Sequence, residues 1–537
     1  MMVSPVRISL VSILLGSLAA CGGDPSIHPA FRGTGGSGGE GGAGVAGAGP
    51  DSAGAAGTEN TPMPDPIEYD GLNGLARNPI VSHVFAADPS AHAFEGRIYV
   101  YASHDLDDQE GYDMRDYHVF SSDDLVNWQD HGVALDASDT WATKLYAPDC
   151  CYSEATGQYY LYFPDQGNAI GVAVSDSPAG PFVDALGESL VNRRTPGVEE
   201  VEWVFDPMCF VDDDGQAYLY FGGGMPDTGD NARVIRLSED MVSLADDAAT
   251  TIVVPDFFEA AFMHQRDGRY YFSYSTTFSD HSAYIDDLVS DDPMTGFEYA
   301  GTIMRNPTDN EYNNHHHSIV EYEGSWYIFY HNRVLANRDG YSEYQRSITL
   351  DHLTYAADGF IEEAPPAMGE VAQLRNFDAF SRLEAETLAD QRGIEVDVAE
   401  DDGTRVGVTV TDLHDGDWIG YSQVDFGAGA TTFRARVASG STNGGSIQVY
   451  VDGCDRFSNL AVRSSGPAPS TILAAGRVGP TSSAPSRRRT ACTMYTCGLE
   501  EPTPSHSSTW TTSNSSERGP SAGRRARPTI PIARTSS

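Results

Sequence analysis

The chain is 537 residues long, more than one ordinary domain needs, and it carries 33 basic against 77 acidic residues for a net charge of −44. That charge excludes nucleic acid as a partner and disfavours anionic polymers as substrates, which leaves neutral ligands. Acidic runs such as Asp105-Leu106-Asp107-Asp108 read as solvated surface.

Residues 1–20 pass from Arg7 into the apolar stretch Ile8 to Leu18, too short for a permanent transmembrane helix, and read as a signal peptide. Leu18-Ala19-Ala20-Cys21 resembles a bacterial lipoprotein cleavage box, which implies a lipidated Cys21 and a protein held on the cell envelope. Gly22-Gly23, in place of an aspartate, points to the outer membrane. Residues 21–75 form a linker rich in Gly and Ala, flexible enough to hold a domain away from the lipid. Six cysteines remain beyond Cys21. Cys150 and Cys151 are adjacent and cannot readily pair with each other, and with Cys209 they leave room for one disulfide whose pairing the sequence does not fix.

From residue 76 a Gly-x-x-Tyr signature opens a strand-like aromatic run five times: Gly96 to Tyr99, Gly157 to Tyr160, Gly215 to Tyr218, Gly268 to Tyr271 and Gly324 to Tyr327. The glycines stand roughly 53–61 residues apart, a spacing that suits a blade of four short strands with its loops. Five such repeats predict an all-β, five-bladed β-propeller over residues 76–375. The tyrosine pairs Tyr159-Tyr160 and Tyr270-Tyr271 take blade-core places in the repeat rather than places for stacking sugars.

Eight or nine residues before each turn glycine lies one titratable residue: Asp88, Asp149, Asp206, Glu259 and His316. Equivalent strands of a propeller run in the same direction around one axis, so these five side chains are expected at one rim. Apolar neighbours, Val84-Phe85-Ala86-Ala87, Val204-Phe205 and Phe257-Phe258, precede three of them. Charges in such surroundings are costly unless they pair, bind a metal or do chemistry. Two carboxyl groups facing across a cavity suffice for glycoside hydrolysis, one protonated as acid and one ionised as base, and a third nearby raises the pKa of the acid. Carboxylates also make calcium sites.

The segments Ala87-Asp88-Pro89, Ala147-Pro148-Asp149, Phe205-Asp206-Pro207 and Phe258-Glu259-Ala260, with the hairpins that follow them, resemble the blade motifs of glycoside hydrolase family 43. The resemblance implies Asp88 as general base, Glu259 as general acid and Asp206 as the residue that tunes the acid's pKa. It also implies inversion at the anomeric carbon, with a water between base and sugar. Asp149, Arg346 and His316 are the implied substrate-binding residues. His316, within His315-His316-His317, is also the candidate neighbour of a structural Ca2+ on the axis, and no cofactor is needed for the chemistry itself. Ser82-His83-Val84-Phe85 and Tyr117-His118-Val119-Phe120 are similar to the arabinoxylan-acting branch, which implies release of α-L-arabinofuranose or β-D-xylose from plant cell-wall polysaccharide by a monomer. The alternatives are an endo-arabinanase, a fructan-type propeller hydrolase and a non-catalytic sugar-binding propeller.

Residues 381–455 show the alternation and turn spacing of a β-sandwich. Leu383-Glu384-Ala385-Glu386 and Gly416-Asp417-Trp418-Ile419-Gly420-Tyr421 resemble the first part of a jelly-roll carbohydrate-binding module of family 6, which implies Glu384 and Glu386 as calcium ligands. Residues 456–537 turn to Ser, Pro, Thr and Arg with little alternation. The sandwich is thus expected to be partial and the tail disordered or read from a shifted frame.

Overall fold

The computed structural model describes residues 76–438, apart from 77, 108, 226–229, 280, 367–370, 402–403 and 415, and four later strands. The signal peptide, Cys21, the linker and most of the tail lie outside the described residues. Everything described belongs to one compact unit.

Five antiparallel sheets make the propeller. Blade I is β1 (Ala86–Phe94), β2 (Arg97–His104), β3 (Asp116–Ser122) and β4 (Trp128–Asp136). Blade II is β5 (Asp149–Ser153), β6 (Gln158–Pro164) and β7 (Ala169–Ser175), with the short β8 (Val183–Asp184) and β9 (Val191–Asn192) both paired to β7. Blade III is β10 (Met208–Val211), β11 (Ala217–Phe221), β12 (Arg233–Arg236) and β13 (Thr250–Thr251). Blade IV is β14 (Phe257–Arg266), β15 (Arg269–Thr276), β16 (Tyr284–Ser290) and β17 (Glu298–Arg305). Blade V has three strands, β18 (His317–Tyr322), β19 (Ser325–Asn332) and β20 (Ser347–Leu353). β1, β5, β10, β14 and β18 touch one another in a closed ring around the axis.

The repeated glycines do the work their spacing implies. All five have φ between 71° and 86°, the left-handed region where a Cβ is disfavoured, and each turns the hairpin between the first two strands of its blade. The tyrosines three residues on are buried, as are Tyr159 and Tyr160, so they are blade core as the repeat requires. Apolar clusters fill the space between neighbouring blades, and one of them joins Val100 and Trp128 of blade I to Phe329 and Leu350 of blade V. That cluster closes the ring. The missing outer strand of blade V is partly replaced from the other end of the domain: Ile80 N–H donates to Ile348 O at 2.9 Å, and Asn78 exchanges two hydrogen bonds with Leu350. A disulfide between Cys151 and Cys209 ties β5 to β10, and Cys150 is buried and free.

A short helix α1 (Val334–Asp339) leads into β20. Beyond blade V come β21 (Phe377–Asp378), β22 (Thr387–Leu388), β23 (Asp390–Arg392), β24 (Glu395–Asp401), β25 (Thr404–Thr411), β26 (Asp417–Tyr421), β27 (Val424–Asp425) and β28 (Thr432–Val437). β22 pairs with β4 and so extends blade I, and Asn127 exchanges hydrogen bonds with the backbone of Ser422. The sandwich is therefore docked on blade I, around a small core of Leu388, Ile394, Ile419, Tyr421 and Val424. Its remaining strands are β29 (Ser446–Val451), β30 (Phe457–Ser458), β31 (Ser470–Ala475) and β32 (Cys492–Cys497). β31 pairs with β28, and β32 lies between β26 and β29. Three segments of residues 456–537, β30, β31 and β32, are strands of the sandwich sheets.

Candidate active site

The three carboxylates sit where the innermost strands depart from regular backbone: Asp88 and Glu259 at register breaks in β1 and β14, and Asp206 two residues before β10. Asp88 has φ 51° and Asp206 φ 46°, while Ala260, directly after Glu259, has φ 60°. β1 shifts register between Ala87 and Ser90, and β14 shifts between Glu259 and Phe262. A bulge of this kind re-aims a side chain that regular pairing would leave within the sheet. Each left-handed residue without the freedom of glycine costs of order 1–3 kcal/mol, a strain found at functional positions. Phe85, Phe205 and Phe258 are buried beside them and keep the local dielectric low.

Asp88 is 4 % exposed and held from several directions. Arg346 Nη1 donates to Oδ1 at 2.6 Å, and Ser103 Oγ donates to Oδ2 at 2.9 Å. Its own N–H donates to His331 Nδ1 at 3.4 Å, and the other ring nitrogen of His331 donates to Asn314 O at 3.1 Å. Burial works against the charged carboxyl, but Arg346, His331 and His316 outweigh it and hold its pKa far below the ordinary value. Asp88 is therefore ionised throughout the working pH range.

Glu259 is displaced the other way. Burial raises its pKa, the charge of Asp88 adds to that, and a hydrogen bond from Asn314 Nδ2 to Oε1 at 3.1 Å partly offsets both, leaving it at about 7. Asp206 accepts the Ala260 N–H at 3.0 Å, and burial together with Glu259 and Asp88 pushes its pKa well up. The Asp206 and Glu259 pair titrates as a unit and holds a proton near neutrality.

The other expected residues are placed differently from one another. His316 Nδ1 faces Asp88 Oδ1 at 3.6 Å and Asp206 Oδ2 at 3.8 Å, and burial lowers its pKa to about 4, so it is neutral between them. Asp149 spends both oxygens on joining blades: Ser90 Oγ and His92 Nε2 donate to Oδ1 at 2.6 and 2.9 Å, and Cys209 N–H donates to Oδ2 at 2.7 Å. Arg346, expected to reach the sugar, is 1 % exposed. Its Nε and Nη2 go to Asp105 at 2.9 and 2.7 Å, its Nη1 goes to Asp88, and its guanidinium lies 4.9 Å from the Tyr112 ring. Asp105 corrects the surface reading of its acidic run, since it is buried as the second anchor of Arg346.

Arg333, Tyr112 and Asn314 carried no signal in the spacing. Arg333 Nη2 and the Tyr112 hydroxyl both donate to Asn314 Oδ1, at 3.1 and 3.2 Å, which fixes the amide so that its Nδ2 points at Glu259. Aromatic rings pack against the phenylalanines that precede the carboxylates. Trp203 packs edge-on against Phe205 and Phe258, and Tyr341, half-exposed, stands against Phe85.

The axis does not fit a directly bound calcium. Calcium takes six to eight oxygens, whereas the groups here are imidazoles and carboxylates already engaged by Arg346, Ser103 and Ala260. The sandwich pair fits a cation better. Burial, reinforced by Glu384 and Asp130, raises Glu386 to about 7, and a dication would relieve that repulsion, although Glu384 is also engaged by Arg382.

The family profile described as glycosyl hydrolases family 43 matches residues 76–361, and that of carbohydrate binding module (family 6) matches 384–470. An arabinoxylan arabinofuranohydrolase of Paenibacillus polymyxa is 36 % identical over 415 residues, 70 % of this chain and 65 % of that protein. A protein of the same name from Bacillus subtilis (strain 168) is 36 % identical over 420 residues, 70 % of this chain and 81 % of that one. Among solved structures, a family 43 arabinoxylan arabinofuranohydrolase from Bacillus subtilis, in complex with cellotetraose, superposes with a TM-score of 0.71 at 34 % identity, covering 79 % of this chain and 95 % of that one. An ionised carboxylate and a proton-bearing one at the mouth of five blades, together with these matches, make the chain a glycosidase belonging to glycosyl hydrolases family 43.

Proposed function

We propose that the propeller removes α-L-arabinofuranosyl side groups from arabinoxylan in one displacement with inversion. Asp88 takes a proton from a water molecule as the water oxygen attacks the anomeric carbon. Glu259 gives its proton to the glycosidic oxygen as the bond from carbon to that oxygen breaks, and Asp206 keeps Glu259 protonated beforehand. The opposite displacement of the Asp88 and Glu259 pKa values is the observation that supports this reading most, because an ionised carboxyl suits the base and a protonated one the acid. The arabinoxylan named for both curated relatives supports the substrate, and the neutral polymer suits a chain of charge −44. Incubation with arabinoxylan and with linear xylo-oligosaccharides tests it: arabinose from the first is the expected product, and xylose from the second without arabinose from the first overturns it.

The family 6 module would hold the enzyme on polysaccharide, with Ca2+ between Glu384 and Glu386 serving its folding alone. Lipidation of Cys21 would place the whole at the bacterial envelope, a reading supported by the disulfide, since such bonds persist in oxidising compartments. Expression of Cys21→Ser in a bacterial host should move the protein from the membrane fraction to the soluble one, and unchanged fractionation contradicts the anchor.

A further inference from the structure

We infer that blade I carries a site for a transition-metal dication such as Zn2+, built from His104, Asp116 and His118. The antiparallel register of β2 and β3 sets Ala102 opposite His118 and Ser103 opposite Tyr117, which brings His104 beside Asp116. Side chains alternate across a strand, so these three lie on the opposite face from Ser103, the residue that donates to Asp88. The site is therefore separate from the catalytic rim, although the strand end that forms it continues directly into Asp105, the anchor of Arg346.

His104 Nδ1 is 2.9 Å from Asp116 Oδ1, and His118 Nε2 is 3.7 Å from the same oxygen. One donor atom from each residue lies within 4.8 Å of the others, and among the described residues no other trio of metal-capable side chains converges so. Tetrahedral zinc holds nitrogen and oxygen ligands at about 2.0–2.2 Å, which sets them roughly 3.3 Å apart, so the three atoms need only small shifts. Two imidazoles and one carboxylate suit a borderline dication and are too few and too nitrogen-rich for calcium.

The surroundings orient the ligands as metal sites require. Nδ1 of His118 lies 3.3 Å from Asp130 Oδ1, and that carboxylate is itself fixed by the Gly132 N–H at 2.6 Å and by His83 Nε2 at 2.8 Å. A histidine that donates one ring N–H to a carboxylate turns the lone pair of its other nitrogen toward the metal. The ligand side chains are 21 %, 12 % and 9 % exposed, so the group touches solvent, the source of a water as fourth ligand. A metal there would clip β2 to β3 behind Ser103 and Asp105.

The test uses the full chain, stripped with chelator, returned to Ca2+ in excess and titrated calorimetrically with ZnCl2. One Zn2+ per chain is expected, with a rise in melting temperature, and His104→Ala should weaken that binding at least about tenfold. Absence of stoichiometric Zn2+ binding, or undiminished binding in folded His104→Ala, overturns the site. Should the variant fail to fold, Co2+ added to the wild type decides: the visible bands of a tetrahedral nitrogen and oxygen environment are expected, and an octahedral aquo spectrum contradicts it.

Discussion

Asp88→Asn is expected to lower kcat by about 10²–10⁴-fold on every arabinofuranoside, whereas Glu259→Gln is expected to lose as much only when the leaving group is a sugar. The asymmetry follows from the chemistry of departure. A sugar alkoxide cannot leave without the proton Glu259 supplies, while a nitrophenolate can, so Glu259→Gln should keep most of its activity on nitrophenyl arabinofuranoside. As the proposed base, Asp88 is needed whatever the leaving group. Kinetics on both substrate types check this, and equal losses for both variants on both substrates contradict the assignment. The pH dependence carries the same sign. Glu259 must be protonated, so wild-type kcat/KM should fall as pH rises through about 7, and Glu259→Gln should lack that limb on the nitrophenyl substrate. Asp88 must be ionised, and its depressed pKa should keep the rate high well into the acid range.

Arg346→Leu is expected to cost about 3–5 kcal/mol of stability, because it leaves Asp88 and Asp105 buried without their shared counter-charge. Denaturant melts at neutral and acid pH measure it. Asp88 has a folded pKa below its unfolded one, so its ionisation stabilises the wild type above the unfolded value, and that gain disappears as pH falls through the folded value. The gap between wild type and variant should therefore be widest near neutrality and narrow in acid. Arg346→Lys keeps one charge but cannot bridge two carboxylates, so it should move the acid limb of kcat/KM upward even if it folds well. An unmoved acid limb in Arg346→Lys would detach the arginine from the base.

The sequence made the propeller and its carboxylates legible for one physical reason: a positive φ at the hairpin recurs once per blade, and glycine marks it. Counting back from Gly96, Gly215 and Gly268 reaches Asp88, Asp206 and Glu259, and the structure places Asp88 and Glu259 at register breaks in β1 and β14 and Asp206, with a positive φ, two residues before β10. The groups that support them were hidden because they work through contacts distant in the chain. Asp105 sits in an acidic run that resembles surface, and only the fold brings it to Arg346, 241 residues away. Asn314 lies just before the histidine run that drew attention, and nothing local shows that Arg333 aligns its amide with Glu259. Closure of blade V by residues 78–80 escaped for a similar reason, since the glycine spacing counts hairpins and that segment belongs to none. Asp149 matched the repeat yet joins three blades with both its oxygens. Equivalent position therefore does not ensure equivalent duty.

In the proposed displacement Asp88 activates water on one face of the sugar while Glu259 protonates the leaving oxygen on the other. Proton NMR of the earliest product from an α-L-arabinofuranoside, recorded before mutarotation, tests it most directly. The β-anomer is expected to appear first. Arabinose released first as the α-anomer would require a covalent intermediate and would contradict it.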